Sequence, residues 1–167
     1  MEPNKISPAG ELAVAQLQRQ PNPRQRILVV EEDAETRRLN TEVLICSGYH
    51  VDTAEDGVIA WNALQANRYD LMVTDNNIPK VSGIQLLKKL HATRLALPVI
   101  MATGTMPVWE FATRPWLQPA TVLLKPYTFD ELLGMVKKVL HATAIVRGEI
   151  APPPNWQSQP SKAIGLG

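Results

Sequence analysis

Short apolar segments alternate with amphipathic segments through the middle of the chain. The runs Ile27 to Val30 and Val99 to Met101 are apolar at successive positions, which is typical of parallel strands that are covered on both faces. The segment His50 to Ala54 alternates polar and apolar residues instead, as a strand at the edge of a sheet does. The pattern predicts five strands: Arg26 to Val30, His50 to Ala54, Leu71 to Thr74, Pro98 to Thr103 and Thr121 to Leu124.

A helical pattern follows the first strand, over Glu35–Ser47. It places Leu39, Val43 and Cys46 on one face and stops at Gly48, a residue type that commonly follows the end of a helix. We expect this face, including Cys46, to lie in the core.

Three further helical patterns accompany the later strands. The second helix is predicted over Val58–Gln65, the third begins after Ser82, and the last follows a capping box of Thr128 and Glu131. The residues that the third and last helices are predicted to bury are Ile84, Leu87, Leu90, Leu132, Val136 and Val139. Because strands and helices alternate, the sequence predicts an α/β fold with a doubly wound five-stranded parallel sheet and helices on both faces.

The interval between the fourth and fifth strands is the least regular part of this pattern. It contains three prolines, and a proline in a helix interior removes a hydrogen bond and clashes with the preceding turn. We therefore predict a fourth helix that is short or distorted. Local packing and a partner-binding surface are both consistent with the aromatic residues of this interval, which are Trp109, Phe111 and Trp116.

The composition fits one folded domain with a tail at each end. The chain has 167 residues, of which 45% are hydrophobic and 20% are charged. Residues 1–23 are polar and residues 144–167 are rich in proline. We predict an N-terminal tail at 1–23, a domain at 24–143 and a disordered C-terminal tail at 144–167. Within the first tail, the short helical pattern Glu11–Arg19 is too short to be stable in isolation.

Charge and cysteine content narrow the classes of partner and location. Lys and Arg total 17 against 16 Asp and Glu, and no helix-turn-helix pattern or basic cluster remains, so direct DNA binding is not expected. The single cysteine cannot form an internal disulfide, and the first residues lack the apolar run of a signal peptide. No apolar stretch approaches the roughly 20 residues that span a bilayer. The sequence predicts a cytoplasmic protein without a membrane segment.

Charged and hydroxyl residues follow the ends of four of the predicted strands. In doubly wound sheets the ligand site lies at the carboxyl ends of the strands, so we expect these residues at one edge. They are Glu31, Glu32 and Asp33 after the first strand, Asp75 after the third, Thr103 at the end of the fourth and Lys125 after the fifth. Simpler interpretations are an exposed helix start for the acidic run, a turn residue for Asp75, a helix cap for Thr103 and a solvated cation for Lys125.

The acidic residues at this edge need a cation, because clustered carboxylates repel one another and raise each other's pKa. Mg²⁺ suits such a site, since it prefers oxygen ligands and uses one or two protein carboxylates together with water and phosphate oxygens. Asp75 is then a candidate oxygen nucleophile toward phosphorus. Lys125 and Mg²⁺ offset the charge of the transferring phosphoryl group, and Thr103 donates a hydrogen bond to it. The product is an aspartyl phosphate on the protein itself.

Four segments, "ILVVEED", "VTDNNIPKVSG", "PVIMATG" and "LLKPY", occur in this order, with Lys125 22 residues after Thr103. On these motifs, residues 24–143 resemble a receiver domain of the two-component response regulator family. The resemblance implies a flavodoxin-like sheet with strand order 2-1-3-4-5. It also implies phosphorylation of Asp75 by a histidine kinase or a histidine phosphotransfer protein, and output through a downstream protein effector.

For the metal, the resemblance implies ligands from the carboxylates of Glu31, Glu32 and Asp75 and from the backbone carbonyl of Asn77. The family usually has an aspartate where Glu32 stands. Because glutamate is one methylene longer, its carboxylate must fold back or bind the ion through water.

For phosphoryl chemistry, the resemblance assigns Lys125 to phosphate contact and Thr103 to a conformational switch, with a cis peptide bond before Pro126. Many family members carry a tyrosine or phenylalanine three positions before the lysine, where this chain has Val122. Any switch must therefore use another readout. The two residues implied to tune the attacking water are Asn77 and Thr105.

These features predict a phospho-accepting receiver that signals through protein–protein interaction and is not a turnover enzyme. The alternative is a pseudo-receiver that keeps the fold and works without phosphate, which Glu32, Val122 and the irregular fourth helix suggest. A phosphatase with an aspartyl nucleophile is a third class. Such enzymes usually have a second aspartate two residues after the nucleophile, where this chain has Asn77.

Overall fold

All five predicted strands are present. They are β1 (Arg26–Val30), β2 (His50–Ala54), β3 (Leu71–Thr74), β4 (Val99–Thr103) and β5 (Thr121–Leu124). In the computed structural model, which describes residues 25–153, the strands pair in parallel in the order β2-β1-β3-β4-β5. Only the start of β4 differs from the prediction, by one residue. The flavodoxin-like strand order is confirmed.

Five helices accompany the strands within residues 25–153: α1 (Ala34–Cys46), α2 (Gly57–Ala66), α3 (Gly83–Ala92), α4 (Val108–Thr113) and α5 (Phe129–Val146). The fourth helix is short, as predicted. It has 6 residues, and a separate 3₁₀ turn over Pro115–Leu117 follows it. Arg114 precedes a proline and adopts φ −136° and ψ 76°, outside the helical region. The prolines therefore set the length of α4.

Successive residues of β1 pack against opposite faces of the sheet. Leu28 and Val30 belong to a cluster with residues of α2 and α3, whereas Ile27 and Val29 belong to a cluster with residues of α1 and α5. All four side chains are at most 1% exposed. This double coverage explains the continuous apolar run of the strand and confirms the doubly wound architecture.

Two helix starts carry complete capping boxes. Ser82 Oγ accepts from the backbone N–H of Gln85, and Thr128 Oγ1 accepts from the backbone N–H of Glu131, both at 3.2 Å. The side chains of Gln85 and Glu131 accept in return from the backbone N–H of each cap residue. The core positions predicted for these helices are confirmed as buried: Ile84, Leu87, Leu90, Leu132, Val136 and Val139.

The first helix buries a different face from the predicted one. Asn40 and Leu44 are its buried residues, whereas Cys46 is exposed, so the prediction of a core position for Cys46 is wrong. The Asn40 side-chain amide donates a hydrogen bond to the Tyr127 hydroxyl oxygen at 2.8 Å. A polar residue whose partner is distant in the sequence therefore occupies a core position, although the apolar periodicity of the helix predicts a different buried face.

At the amino ends of the strands, one ionic cluster joins Arg26 of β1, Asp52 of β2 and Tyr69, which lies two residues before β3. Arg26 Nη2 lies 2.6 Å from Asp52 Oδ2, and the Tyr69 hydroxyl donates to the same oxygen at 2.7 Å. The guanidinium also lies 5.1 Å from the centroid of the Tyr69 ring. Burial and the Asp52 carboxylate raise the pKa of Tyr69 to about 12. This cluster stabilises the edge of the sheet opposite the candidate site.

The predicted tails lie mostly outside the described part of the chain. Residues 1–24 and 154–167, and with them the pattern Glu11–Arg19, are outside the described residues. Helix α5 continues to Val146, three residues past the predicted end of the domain, and the domain limits stay a prediction. Between residues 25 and 153, no helix is long and apolar enough to cross a membrane.

Truncation of α1 side chains tests which face is buried. We expect Leu44→Ala to lower the free energy of unfolding by about 2–5 kcal/mol, because it leaves a cavity at a site that is fully buried. Cys46→Ala is the matched control and changes it by less than about 0.5 kcal/mol. Urea unfolding measures both, and a larger loss for Cys46→Ala contradicts the packing of α1.

The Tyr69 hydroxyl predicts a loss of stability in alkali. Its folded pKa of about 12 exceeds the value of about 10 in an unfolded chain. The hydroxyl therefore contributes stability that is fully present below about pH 10 and is lost as the pH rises to about 12. Relative to Tyr69→Phe, the parent is expected to lose free energy of unfolding across this interval, measured by urea unfolding. Parallel pH profiles for the two proteins would show the expectation to be wrong.

Candidate functional site

Two acidic residues lie side by side at the carboxyl edge of the sheet. Glu31 follows β1 and Asp75 follows β3, and these strands are neighbours. The parallel ladder continues past the strand ends, since the Asp75 backbone N–H donates to the Val30 carbonyl at 3.3 Å. Glu31 is 7% exposed and Asp75 is 8% exposed. The fold therefore holds two carboxylates together in a nearly buried position.

The ammonium of Lys125 joins these two carboxylates. Lys125 Nζ lies 2.7 Å from Glu31 Oε2 and 2.7 Å from Asp75 Oδ2. The Lys125 backbone N–H donates to the Thr103 carbonyl at 2.9 Å, which extends the pairing of β5 with β4. Burial lowers the pKa of Lys125, but its hydrogen bonds to Asp75 and Glu31 outweigh burial and raise that pKa above its ordinary value. Lys125 is thus a cation at neutral pH.

The residues after Glu31 have separate roles. The Asp33 backbone N–H donates to Glu31 Oε1 at 3.1 Å, and the Asp33 side chain caps α1 by accepting from the Thr36 backbone N–H at 2.7 Å. Glu32 is exposed, and its carboxylate forms no hydrogen bond or ion pair with residues 25–153. Of the three consecutive acidic residues, only Glu31 contacts Lys125.

The loop after Asp75 folds back on the same carboxylate. The Asn77 backbone N–H donates to Asp75 Oδ1 at 3.0 Å, while Oδ2 of the same carboxylate binds Lys125. Both carboxylate oxygens of Asp75 are therefore held in place. The Asn77 backbone lies next to the candidate nucleophile.

Thr103 lies at the same edge but is not bonded to Asp75. Its side chain is fully buried, and its hydroxyl donates to the Thr105 carbonyl oxygen at 3.2 Å. The register of β3 with β4 places Thr103 two residues beyond the partner of Thr74. The Lys125–Pro126 peptide bond is cis, as the resemblance implies.

The donor set fits Mg²⁺ only in part. The carboxylates of Glu31 and Asp75 reach one cation, Lys125, which fits the one or two carboxylates that Mg²⁺ uses alongside water. The Asn77 backbone N–H, and not its carbonyl, contacts Asp75. In the described residues, no group of three His, Cys, Asp or Glu side chains is close enough to hold a metal ion. Glu32 is therefore not gathered with the other two acidic residues, and the remaining positions would fall to water and phosphate oxygens.

One residue that holds the acidic loop was missed in the sequence. Arg37 Nη1 donates to the carbonyl oxygens of Glu31 and Glu32 at 2.6 and 2.9 Å. A cation near the start of a helix is unfavourable for the helix dipole, and this placement is the signal that points to a local role for Arg37. Its guanidinium fixes the turn that presents Glu31.

The aromatic residues near α4 divide into two groups. Phe111 packs against the core, which fits the packing interpretation. Trp109 and Trp116 are 69% and 51% exposed, and the Trp116 ring lies 4.4 Å from the ring of His91. Val122, which stands where the resemblance implies an aromatic residue, is partly buried against the same core.

Comparisons with known proteins agree with this geometry. A family model described as the response regulator receiver domain matches residues 27–137. Response regulator MprA of Mycobacterium sp. strain KMS is 32% identical over 127 residues, which are 76% of this chain and 55% of MprA. The chain spans about half the length of the curated relatives it matches.

Solved receiver structures share the fold. Response regulator TrrA of Thermotoga maritima, solved in complex with Mg²⁺-BeF, is 30% identical with a TM-score of 0.61, covering 69% of this chain and 98% of TrrA. The receiver domain of Francisella response regulator 1452 is 26% identical with a TM-score of 0.66, covering 71% of this chain and 98% of that domain. Since the family model also matches more than half of the chain, this protein belongs to the response regulator receiver domain family.

Proposed function

We propose that this protein is a phospho-accepting receiver of a two-component phosphorelay, phosphorylated on Asp75. The observation that carries the proposal is the pairing of Asp75 with Glu31 through the Lys125 ammonium at the carboxyl edge of the sheet. A nearly buried carboxylate beside a fixed cation can serve as an oxygen nucleophile, and the cation offsets the charge that a phosphoryl group brings.

The phosphoryl donor is a phosphohistidine of a histidine kinase or a histidine phosphotransfer protein. A carboxylate oxygen of Asp75 forms the new bond to phosphorus, and the phosphorus–nitrogen bond of the donor breaks. Its electron pair stays on the imidazole, which takes up a proton. Lys125 then contacts an oxygen of the aspartyl phosphate, because its ammonium already lies 2.7 Å from Asp75 Oδ2.

The metal proposal is a Mg²⁺ ion held by the carboxylates of Glu31 and Asp75 and the backbone carbonyl of Asn77, with Glu32 acting through water. When bound, Mg²⁺ neutralises negative charge on the carboxylates and the phosphoryl oxygens. The TrrA structure, solved with Mg²⁺-BeF, supports a Mg²⁺ site by analogy. Glu32, where the resemblance implies an aspartate, is exposed.

Thr103 is the proposed link between phosphorylation and shape. Its hydroxyl must leave the Thr105 carbonyl to donate a hydrogen bond to a phosphoryl oxygen, and this exchange moves the turn that leads into α4. Because Val122 is aliphatic and cannot act as an aromatic switch residue, the turn and α4 are the proposed readout of phosphorylation. Asn77 and Thr105 are proposed to tune the attack of the water that later hydrolyses the phosphate.

Output is proposed to be protein–protein interaction without substrate turnover. The exposed Trp109 and Trp116 beside the switch turn offer a contact surface for a downstream effector. We also propose that residues 24–143 are the folded unit, that residues 1–23 and 144–167 are tails, and that the protein acts in the cytoplasm without contacting DNA or membranes.

A second candidate is a pseudo-receiver that binds partners without phosphate. The observation that favours it is the exposed carboxylate of Glu32, which lies apart from Glu31 and Asp75. The phosphorylation experiment decides between the two candidates.

Intact mass spectrometry tests the acceptor. After incubation with Mg²⁺ and a small-molecule phosphodonor, we expect one added phosphoryl group on the parent and none on Asp75→Asn, because the amide is a poor nucleophile. The matched control Asp130→Asn changes an exposed acid in the first turn of α5 and keeps the adduct. An unmodified parent, or an adduct that survives in Asp75→Asn, refutes the assignment and favours the pseudo-receiver.

Removal of the Lys125 ammonium tests two expected effects separately, one on the rate of phosphoryl uptake and one on the affinity for Mg²⁺. Lys125→Met is expected to slow phosphoryl uptake about 100-fold, as the loss of one electrostatic contact to the transferring group does. Its Mg²⁺ affinity is expected to rise, because the ammonium no longer competes for the oxygens of Glu31 and Asp75. Mass spectrometry of samples quenched at successive times gives the rate of phosphoryl uptake, and calorimetric titration with Mg²⁺ gives the affinity. Lys138→Met on α5 is the control. Unchanged uptake would exclude a role for Lys125.

A further inference from the structure

The loop between Asp75 and α3 contains a lysine in an unfavourable backbone conformation. Lys80 has φ +65°, which lies in the left-handed region. Glycine adopts this region without strain, whereas a residue with a β-carbon is strained there. Arg94 is the other non-glycine residue with a positive φ among residues 25–153, at +54°. Within that part of the chain Lys80, unlike Arg94, has an ion-pair partner for its side chain. The Lys80 ammonium pairs with the carboxylate of Asp56, which lies at the start of α2.

Asp56 is a buried acid whose two oxygens are both engaged. Its side chain is 4% exposed, whereas that of Lys80 is 62% exposed. Oδ1 accepts from the backbone N–H groups of Val58 and Ile59 at 2.8 Å each, which caps α2, and Oδ2 accepts from Lys80. The hydrogen bond from Lys80 is the main cause that holds the pKa of Asp56 below its ordinary value. A charged pair therefore joins α2 to the loop at neutral pH.

Backbone contacts bring the same two segments together. The Gly57 N–H donates to the Pro79 carbonyl at 3.2 Å. A Cβ at Gly57 would lie 1.8 Å from the Val81 carbonyl oxygen. The loop therefore rests directly on the first residue of α2, and only a glycine at position 57 allows this approach.

The other side of the loop is held by α3. The Asn76 carbonyl accepts from the Gly83 N–H, and Asn76 Oδ1 accepts from the Ile84 N–H, both at 3.1 Å. Asn77 and Ile78 are the two residues between this contact and the Pro79–Lys80 contact with α2. Ile78 is buried in the core at 7% exposure. The backbone of Asn77 is thus fixed from both sides.

From this arrangement we infer that Lys80, acting through Asp56, is a positioning residue for Mg²⁺ binding. It fixes the loop that holds the Asn77 backbone beside Asp75, at the edge where Glu31 and Asp75 lie. The inference rests on the proposed function, because that function assigns the Asn77 carbonyl to the metal. Lys80 is assigned no direct contact with the metal or the phosphoryl group, since its ammonium pairs with Asp56.

A double-mutant cycle tests the pair. Asp56→Asn keeps a good helix cap and removes the charge, while Lys80→Met removes the ammonium and keeps most of the side-chain length. Each variant is expected to weaken Mg²⁺ binding about 10-fold, the lower end of the effect of residues that orient metal ligands. The double variant is expected to be no weaker than either single one, because both remove the same interaction. Lys80→Arg retains a cation and restores affinity.

Two measurements separate positioning from general stability. Calorimetric titration with Mg²⁺ alone gives the dissociation constant, and amide hydrogen exchange by NMR in metal-free protein reports the loop at Asn77 and Ile78. We expect exchange there to rise in Lys80→Met and Asp56→Asn. The matched control Lys137→Met removes an exposed lysine from α5 and leaves both readouts unchanged.

The outcomes distinguish this inference from the proposed function. A parent that binds Mg²⁺ and accepts phosphate, with variants that lose only thermal stability at unchanged Mg²⁺ affinity, overturns the positioning role alone. Additive losses in the double variant also overturn it, since the residues then act independently. A parent that binds no Mg²⁺ and forms no adduct at Asp75 refutes the proposed function and the inference together.

Discussion

The site depends on one ammonium group that pairs with two nearly buried carboxylates. Glu31 and Asp75 follow neighbouring central strands, so the fold places them together and removes most of their water. A buried carboxylate without a partner costs several kcal/mol. Lys125 offsets part of that cost by pairing with both carboxylates, and it directly follows β5, which lies two strands away from β3. The site therefore requires the sheet to be assembled in its native order.

Close backbone contacts hold the segments around this ion pair. A Cβ at Gly83 would lie 2.5 Å from the Asp75 carbonyl oxygen, so the start of α3 touches the backbone of the candidate nucleophile. Arg37 fixes the turn after β1 through the carbonyls of Glu31 and Glu32. The loops around the carboxylates are thus positioned by their neighbours before any ligand binds. Such preorganisation is what electrostatic stabilisation of a phosphoryl group needs.

Sequence patterns correctly predicted the features that depend only on residues close together in the chain. The prolines limit α4 to 6 residues, and the capping boxes at Ser82 and Thr128 begin α3 and α5. Each of these features involves residues a few positions apart, so it can be read without knowing the fold. The face of α1 was predicted wrongly, because Asn40 is buried by its bond to Tyr127, 87 residues away. Apolar periodicity carries no information about such a partner.

The sequence by itself determined the strands, the helices, the sheet class and the set of residues at the carboxyl edge. Alternation of apolar runs with amphipathic segments encodes these features, since burial on both faces requires them. Only the tertiary structure decided which of these residues meet. Lys125 reaches Glu31 across 94 positions, Glu32 stays in solvent beside it, and Lys80 pairs with Asp56. Such contacts depend on strand order and side-chain direction, which are properties of the assembled sheet and cannot be read from neighbouring residues.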